Sequence, residues 1–208
     1  MKNNKIFPLT LAQADIYNHQ ILFPELPFYN SVGGGKCGRV DVDRITKAHQ
    51  KLILEQEAFG IRLVGYGENV QQYISDQRTL DLQIIDFSSS NDSDESALAW
   101  IKKETQISFE LVESELFKCF LLKISTDSYW YLLIAHHLLV DGVSGVNFKT
   151  KLAQFYNDCD HIDHESSSWE ELSIKDQNYL QSEKYQKDKS FWQEYCAEVP
   201  DNLFTPYY

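Results

Sequence analysis

The sequence predicts an α+β fold, a sheet flanked by helices. Three observations carry that expectation. Two runs dense in aromatic and aliphatic residues, Phe117–Ile124 and Tyr129–Ala135, flank Ser125-Thr126-Asp127-Ser128, the pattern of a hairpin of buried strands. Residues at helical spacing lie before and after them: Ile45, Ala48 and Leu52 in one segment, Phe148, Leu152, Phe155 and Tyr156 in another. The chain has 208 residues, 43% hydrophobic and 13% aromatic. That is one large domain or one and a half, with a sizeable core and no signature of disorder.

The elements follow in order. Thr10-Leu11-Ala12-Gln13 has the form of a capping box, so a helix is expected from about Leu11 to Leu22, ended near Pro24. Tyr29–Val40 reads as a strand interrupted by Gly33-Gly34-Gly35, where a bulge or a close backbone approach is expected. These glycines are not a phosphate loop, because Lys36-Cys37 breaks the Gly-Lys-Ser/Thr requirement. Asp43 is expected to cap the next helix, with Phe59 on its apolar side and His49 partly buried or at the surface. Short strands are expected near Val70–Ile74 and Leu82–Ile85, then an Asp86–Asp92 loop. A helix from about Asp94 to Gln106 carries Leu98 and Ile101. The last part, Ile174–Cys196, is polar and helical in flavour.

The stretch that invites chemistry is Tyr131–Gly145, Y-L-L-I-A-H-H-L-L-V-D-G-V-S-G. A buried strand delivers His136 and His137 to a short loop, and Asp141-Gly142 marks a turn into a helix. Histidine exchanges a proton near neutrality, since its unperturbed pKa is roughly 6.5. Neighbours leaving a strand point in opposite directions, so one histidine faces outward and the other turns into the protein. Asp141 can fix the turn or bind a cation, and Gly142 leaves room for a close approach.

Charge and cysteine usage exclude other classes. A net charge of −12 and a pI of 4.9 argue against nucleic acid and anionic membranes as partners. No apolar run reaches the roughly 18 residues of a membrane span, and no signal-peptide core follows Met1, so the expected location is the cytoplasm. Cys37, Cys119, Cys159 and Cys196 lie far apart and are expected to be free structural thiols. Cys159, His161, Asp163 and His164 match no standard zinc spacing and read as an acidic loop, so no metal is expected.

His136-His137-Leu138-Leu139-Val140-Asp141-Gly142 matches H-H-x-x-x-D-G, and the chain thereby resembles the condensation domains of nonribosomal peptide synthetases, within the chloramphenicol acetyltransferase-like acyltransferases. Thr10, Ala12, Gln13 and Tyr17 are similar to the family's first motif, S-x-A-Q-x-x-x-W. The second, R-H-E-x-L-R-T-x-F, falls on Glu55–Leu63. Glu57 matches, while Glu55, Gln56, Phe59, Gly60, Ile61 and Leu63 depart. In the family the arginine at the place of Gly60 pairs with the motif aspartate. Arg62 lies two residues on, and positions two apart on a strand share a face. Arg62 is therefore expected to support the site by pairing with Asp141, the other reading being a solvated charge. Asp176 retains the family's fourth motif, Y-x-D-Y-A-x-W, from which Ile174, Gln177, Asn178 and Leu180 depart, and Phe191-Trp192 resembles the pair that follows it.

The resemblance covers nearly the whole chain, whereas a complete condensation domain is about twice as long and has two lobes. It implies that residues 1–208 form the N-terminal lobe, with a mixed sheet flanked by helices, and that the remaining half crosses over near Pro200–Tyr208. It implies amide formation between donor and acceptor thioesters held on the 4′-phosphopantetheine of peptidyl carrier proteins, with no cofactor bound directly. His137 is the family's reaction-centre histidine, as a base or as a positioning group. His136, Asp141 and Gly142 support the loop and give the thioester arm room. The isolated lobe is expected to be inactive. If Met1 is the native start, the donor arrives from a separate protein or as a free acyl thioester.

Heterocyclisation domains replace the histidines with aspartates, so they are disfavoured, and epimerisation domains normally follow a carrier domain. Two alternatives come from other classes. A stand-alone trimeric acyltransferase carries this motif close to its C-terminus, whereas here 208 − 142 = 66 residues follow Gly142. A non-catalytic docking lobe is the other, favoured by the departure at Gly60.

Overall fold

A computed structural model describes residues 5–160 and 168–198. Its centre is a four-stranded mixed sheet of β1 (Asn30–Gly38), β6 (Ser128–His136), β5 (Phe117–Ser125) and β4 (Gln83–Asp86), in that order. β1, β6 and β5 run antiparallel to their neighbours, and β4 joins β5 in parallel. A separate hairpin pairs β2 (Ile61–Val64) with β3 (Gln71–Ile74). The predicted α+β class and the β5–β6 hairpin are thus observed.

Both faces of the central strands β5 and β6 are covered, which is why they are mostly apolar instead of alternating, while the edge strands β1 and β4 stay largely exposed. One face packs Tyr131, Leu133 and Leu121 against α2 (Val42–Glu55) and α4 (Gly142–Asn157). The other packs Phe120, Leu122, Trp130 and Ile134 against α3 (Ser93–Glu104). α1 (Leu11–Gln20) starts with the predicted capping box, Thr10 Oγ1 accepting from the Gln13 amide and Gln13 returning to Thr10 N–H. α5 (Trp169–Tyr179) and α6 (Glu183–Tyr195) close the described chain.

Several expectations are corrected. α1 ends two residues earlier than expected, at Gln20. The cap of α2 is Asp41, whose carboxylate accepts from Arg44 N–H, and Asp43 sits in the first turn. His49 is fully buried: it lies on the core face of α2, where its Nδ1 meets Tyr131 Oη at 2.9 Å. Phe59 packs in the core from the 3-10 turn after α2, not from the helix. On α3 the buried position is Ala97, while Leu98 is exposed. The glycines do not interrupt β1. Gly34 provides the close approach, since a Cβ there would run into the Tyr131 carbonyl, and the irregularity falls later, between Lys36 and Gly38. The Asp158–Ser168 loop and the crossover at Pro200–Tyr208 lie partly or wholly outside the described residues.

Asp176, the fourth-motif match, has a structural task. Its carboxylate accepts from Leu11 N–H at 2.6 Å, while Gln177 and Ser173 donate to Leu9 and Pro8 carbonyls. α5 thereby fixes the chain that enters α1. Cys119 is buried, and Cys37, Cys159 and Cys196 are exposed free thiols.

Candidate functional site

The end of β6 is where the core opens. From Tyr129 to Val140 every residue is buried except His137. Adjacent strand residues point to opposite sides, and the strand ends at His136, which is packed and 1% exposed, whereas His137, the first residue of the turn, faces out. Backbone bonds fix both. His136 N–H donates to Leu116 O at 2.8 Å, and His137 N–H donates to Tyr29 O at 2.8 Å. The chain then turns, Leu139 N–H closing on His136 O.

Inside the turn, His136 Nδ1 accepts from Leu138 N–H at 3.2 Å, and its Nε2 lies 3.4 Å from Gln20 Oε1. Burial, with the His137 charge as a smaller cause, lowers its pKa to about 4. The rings of Tyr29 and Phe109 pack beside it. Gln13 Nε2 holds the other side of the loop, donating to Leu138 O at 3.0 Å and pairing with Gln72. Sequence reasoning gave Gln13 only a capping task and passed over Gln20. The available signal was two glutamines seven residues apart, hence on one face of α1.

Asp141 caps α4. Its Oδ1 accepts from the Ser144 amide and hydroxyl, both at 2.7 Å, and these bonds hold the carboxyl below its usual range. Gly142 opens the helix. The expected Arg62–Asp141 pair is not formed. Arg62 is buried and donates to Glu115 Oε1 at 2.6 Å and to the carbonyls of Phe59, Ile61 and Gln77. The expectation failed because Gly60 ends a 3-10 turn, so it does not share a strand face with Arg62. A side chain at position 60 would meet the guanidinium of Arg78, which caps the end of α2 by donating to Ile53, Leu54 and Gln56 carbonyls.

A groove runs from the motif between β1 and α4. It comprises two adjoining cavities of about 330 and about 300 Å³ that share Lys149. Asp141, Gly142 and Gly145 line the near part, and Cys37, Tyr131 and Tyr156 line the far part. Among the described residues, a Cβ at Gly33, Gly35 or Gly145 would enter open space. Packing does not demand glycine at these positions, as it does at Gly34. The described residues contain no cluster suited to a metal ion and no helix long and apolar enough to cross a membrane.

A family model described as Condensation domain matches residues 3–206. Surfactin synthase subunit 1 of Bacillus subtilis (strain 168) is 28% identical over 207 residues, covering 94% of this chain and 6% of that protein. A dimodular nonribosomal peptide synthase of the same organism is 28% identical over 203 residues, covering 94% of this chain and 8% of its own length. Among solved structures, the starter condensation domain of rhizomide synthetase superposes with a TM-score of 0.84 at 22% identity, over 95% of this chain and 49% of that one. The first condensation domain of the calcium-dependent antibiotic synthetase, in complex with a substrate analogue, gives 0.82 at 20% identity, with 95% and 49% covered. The chain thus spans under a tenth of these curated relatives and about half of these solved chains.

Proposed function

The chain belongs to the condensation domain family, and from that premise we propose that it is the N-terminal lobe of a domain that joins two carrier-bound thioesters through an amide bond. The acceptor amine attacks the donor thioester carbonyl, the C–S bond breaks, the donor pantetheine leaves as a thiol, and the product stays on the acceptor carrier. The phosphopantetheine belongs to the substrates, delivered by donor and acceptor carrier proteins.

The observation that carries this reading is the single exposed residue of the Tyr129–Val140 stretch, His137. It stands at the end of a rigid strand, on a turn held by backbone bonds, as a group that must meet a reacting atom should. Its imidazole orients the amine and receives the proton as the C–N bond forms. An α-amine of pKa roughly 8 is partly neutral at neutral pH, so orientation contributes beside basicity. His136, Asp141 and Gly142 shape the turn. The groove between β1 and α4 begins at Asp141 and Gly142 and gives the acyl thioester arm room. A lobe with its site open on one side is inactive alone and depends on a second lobe.

The test is His137→Ala in the complete protein. Amide product, followed by mass spectrometry from acyl and aminoacyl carriers, should disappear while thermal unfolding stays within the ~0.5 kcal/mol of an exposed substitution. Product at the unaltered rate would sink the assignment.

A further inference from the structure

We propose that Gln20 is a positioning residue of this site: its side-chain amide locks His136 as the Nε2–H tautomer, so that the turn presenting His137 closes on a bare Nδ1. The proposal rests on the reading of His137 given above, and nothing in the motif itself points to residue 20.

Groups that cannot exchange roles fix the chemistry. A backbone N–H only donates, and Leu138 N–H lies 3.2 Å from His136 Nδ1, so Nδ1 must offer a lone pair. A neutral imidazole then carries its proton on Nε2. Carbonyls only accept, and the Gln20 amide nitrogen faces two, Phe23 O at 2.8 Å and Leu26 O at 2.9 Å. Its oxygen is therefore the atom turned to His136 Nε2, at 3.4 Å. Both side chains are almost fully buried, 4% and 1% exposed. Nδ1–H would point a second donor at Leu138 N–H, and imidazolium would do the same. Either form breaks the bond from residue 136 to residue 138 that closes the turn around His137.

The surroundings agree. Against His136 pack the neutral rings of Tyr29 and Phe109, with Gln20 from α1, and the adjacent group that can carry charge is His137. Among the described residues, no carboxylate draws it toward the charged form. Burial lowers its pKa to about 4, so the lock holds throughout the neutral range.

Two substitutions separate the halves of the amide. Gln20→Leu removes donor and acceptor. Gln20→Glu removes the donor to Phe23 and Leu26 but keeps an acceptor for Nε2–H. The tautomer is read from long-range nitrogen–proton NMR spectra of the 208-residue chain, and turnover from the complete protein as a function of pH. In the native chain His136 should appear as Nε2–H. With Gln20→Leu, kcat should fall about 100-fold, the size expected when a reacting group is misplaced, at every pH and with a smaller change in KM. With Gln20→Glu, the carboxylate should raise the titration of His136 toward its ordinary value of about 6.5. The acid limb of kcat should move up with it, and activity should return on the alkaline side. A native Nδ1–H tautomer overturns the proposal, and so does equal, pH-independent damage from Leu and Glu in chains that melt normally. Because the tautomer is observed without turnover, absence of amide product from the native protein would count against the reaction and leave this test standing.

Discussion

Two buried polar clusters in this molecule look alike by composition and differ in outcome. At the end of β6, Gln13, Gln20 and His136 bond to each other's neighbours and to the motif loop, and the result is one histidine turned outward. At the β2 corner, Arg62 donates to three carbonyls and to Glu115, and Glu115 accepts from Thr79 N–H, so these bonds tie the corner to itself. The first cluster presents a group. The second only staples strands and turns. Burial of polar side chains therefore does not mark a site. What sets the first cluster apart is a histidine left facing open space on backbone that is itself held.

Arg62→Met leaves Glu115 without its cation and three carbonyls without a donor, a loss of about 3 kcal/mol in urea unfolding. Turnover per folded molecule in the complete protein should hardly change. A variant that unfolds normally and turns over poorly would place Arg62 back in the site.

Acid acts through two buried histidines. His49 and His136 are both lowered to about 4 by burial, whereas an unfolded histidine titrates near 6.5. Below about 6.5 the unfolded chain therefore binds protons that the folded chain refuses. Their contribution is complete above about 6.5 and is lost as pH falls toward about 4, by up to the order of 3 kcal/mol for each. Denaturant midpoints across that window should fall, and His49→Leu should flatten the slope. A slope unmoved by both His49 and His136 variants would contradict the burial account.

Asp141 gives a smaller effect. As a helix cap, Asp141→Ala should cost about 1 kcal/mol while Asp141→Asn keeps most of the stability, because asparagine caps equally well. Turnover that collapses for Asn would show that the charge matters beyond the cap.

The groove gives the mildest reading. Cys37 lines its far part, while Cys159 and Cys196 are exposed elsewhere and act as internal standards. Acyl-pantetheines should slow alkylation of Cys37 alone, the half-protecting concentration falling about fourfold for each added methylene. Gly35→Leu should erase that protection. Uniform rates at all three thiols would show that the acyl arm lies elsewhere.

The helical and strand periods around residues 11–20, 45–52 and 117–136, the capping box at Thr10 and the outward–inward split of the two histidines follow from local rules: repeat length, hydrogen-bond offsets and strand alternation. H-H-x-x-x-D-G located the candidate site for the same reason, since its residues are contiguous. Partners far apart in the chain are set by how the elements pack. Gln20 meets His136 across 116 positions, Arg62 finds Glu115 across 53, and His49 meets Tyr131 across 82. Spacing rules are silent at such separations. A glutamine seven residues from another on one helix face reads as a surface polar pair until the strand beneath it is in place, and an arginine's partner is set by where the backbone carries its strand. Local chemistry wrote the elements, and packing chose which polar groups face one another.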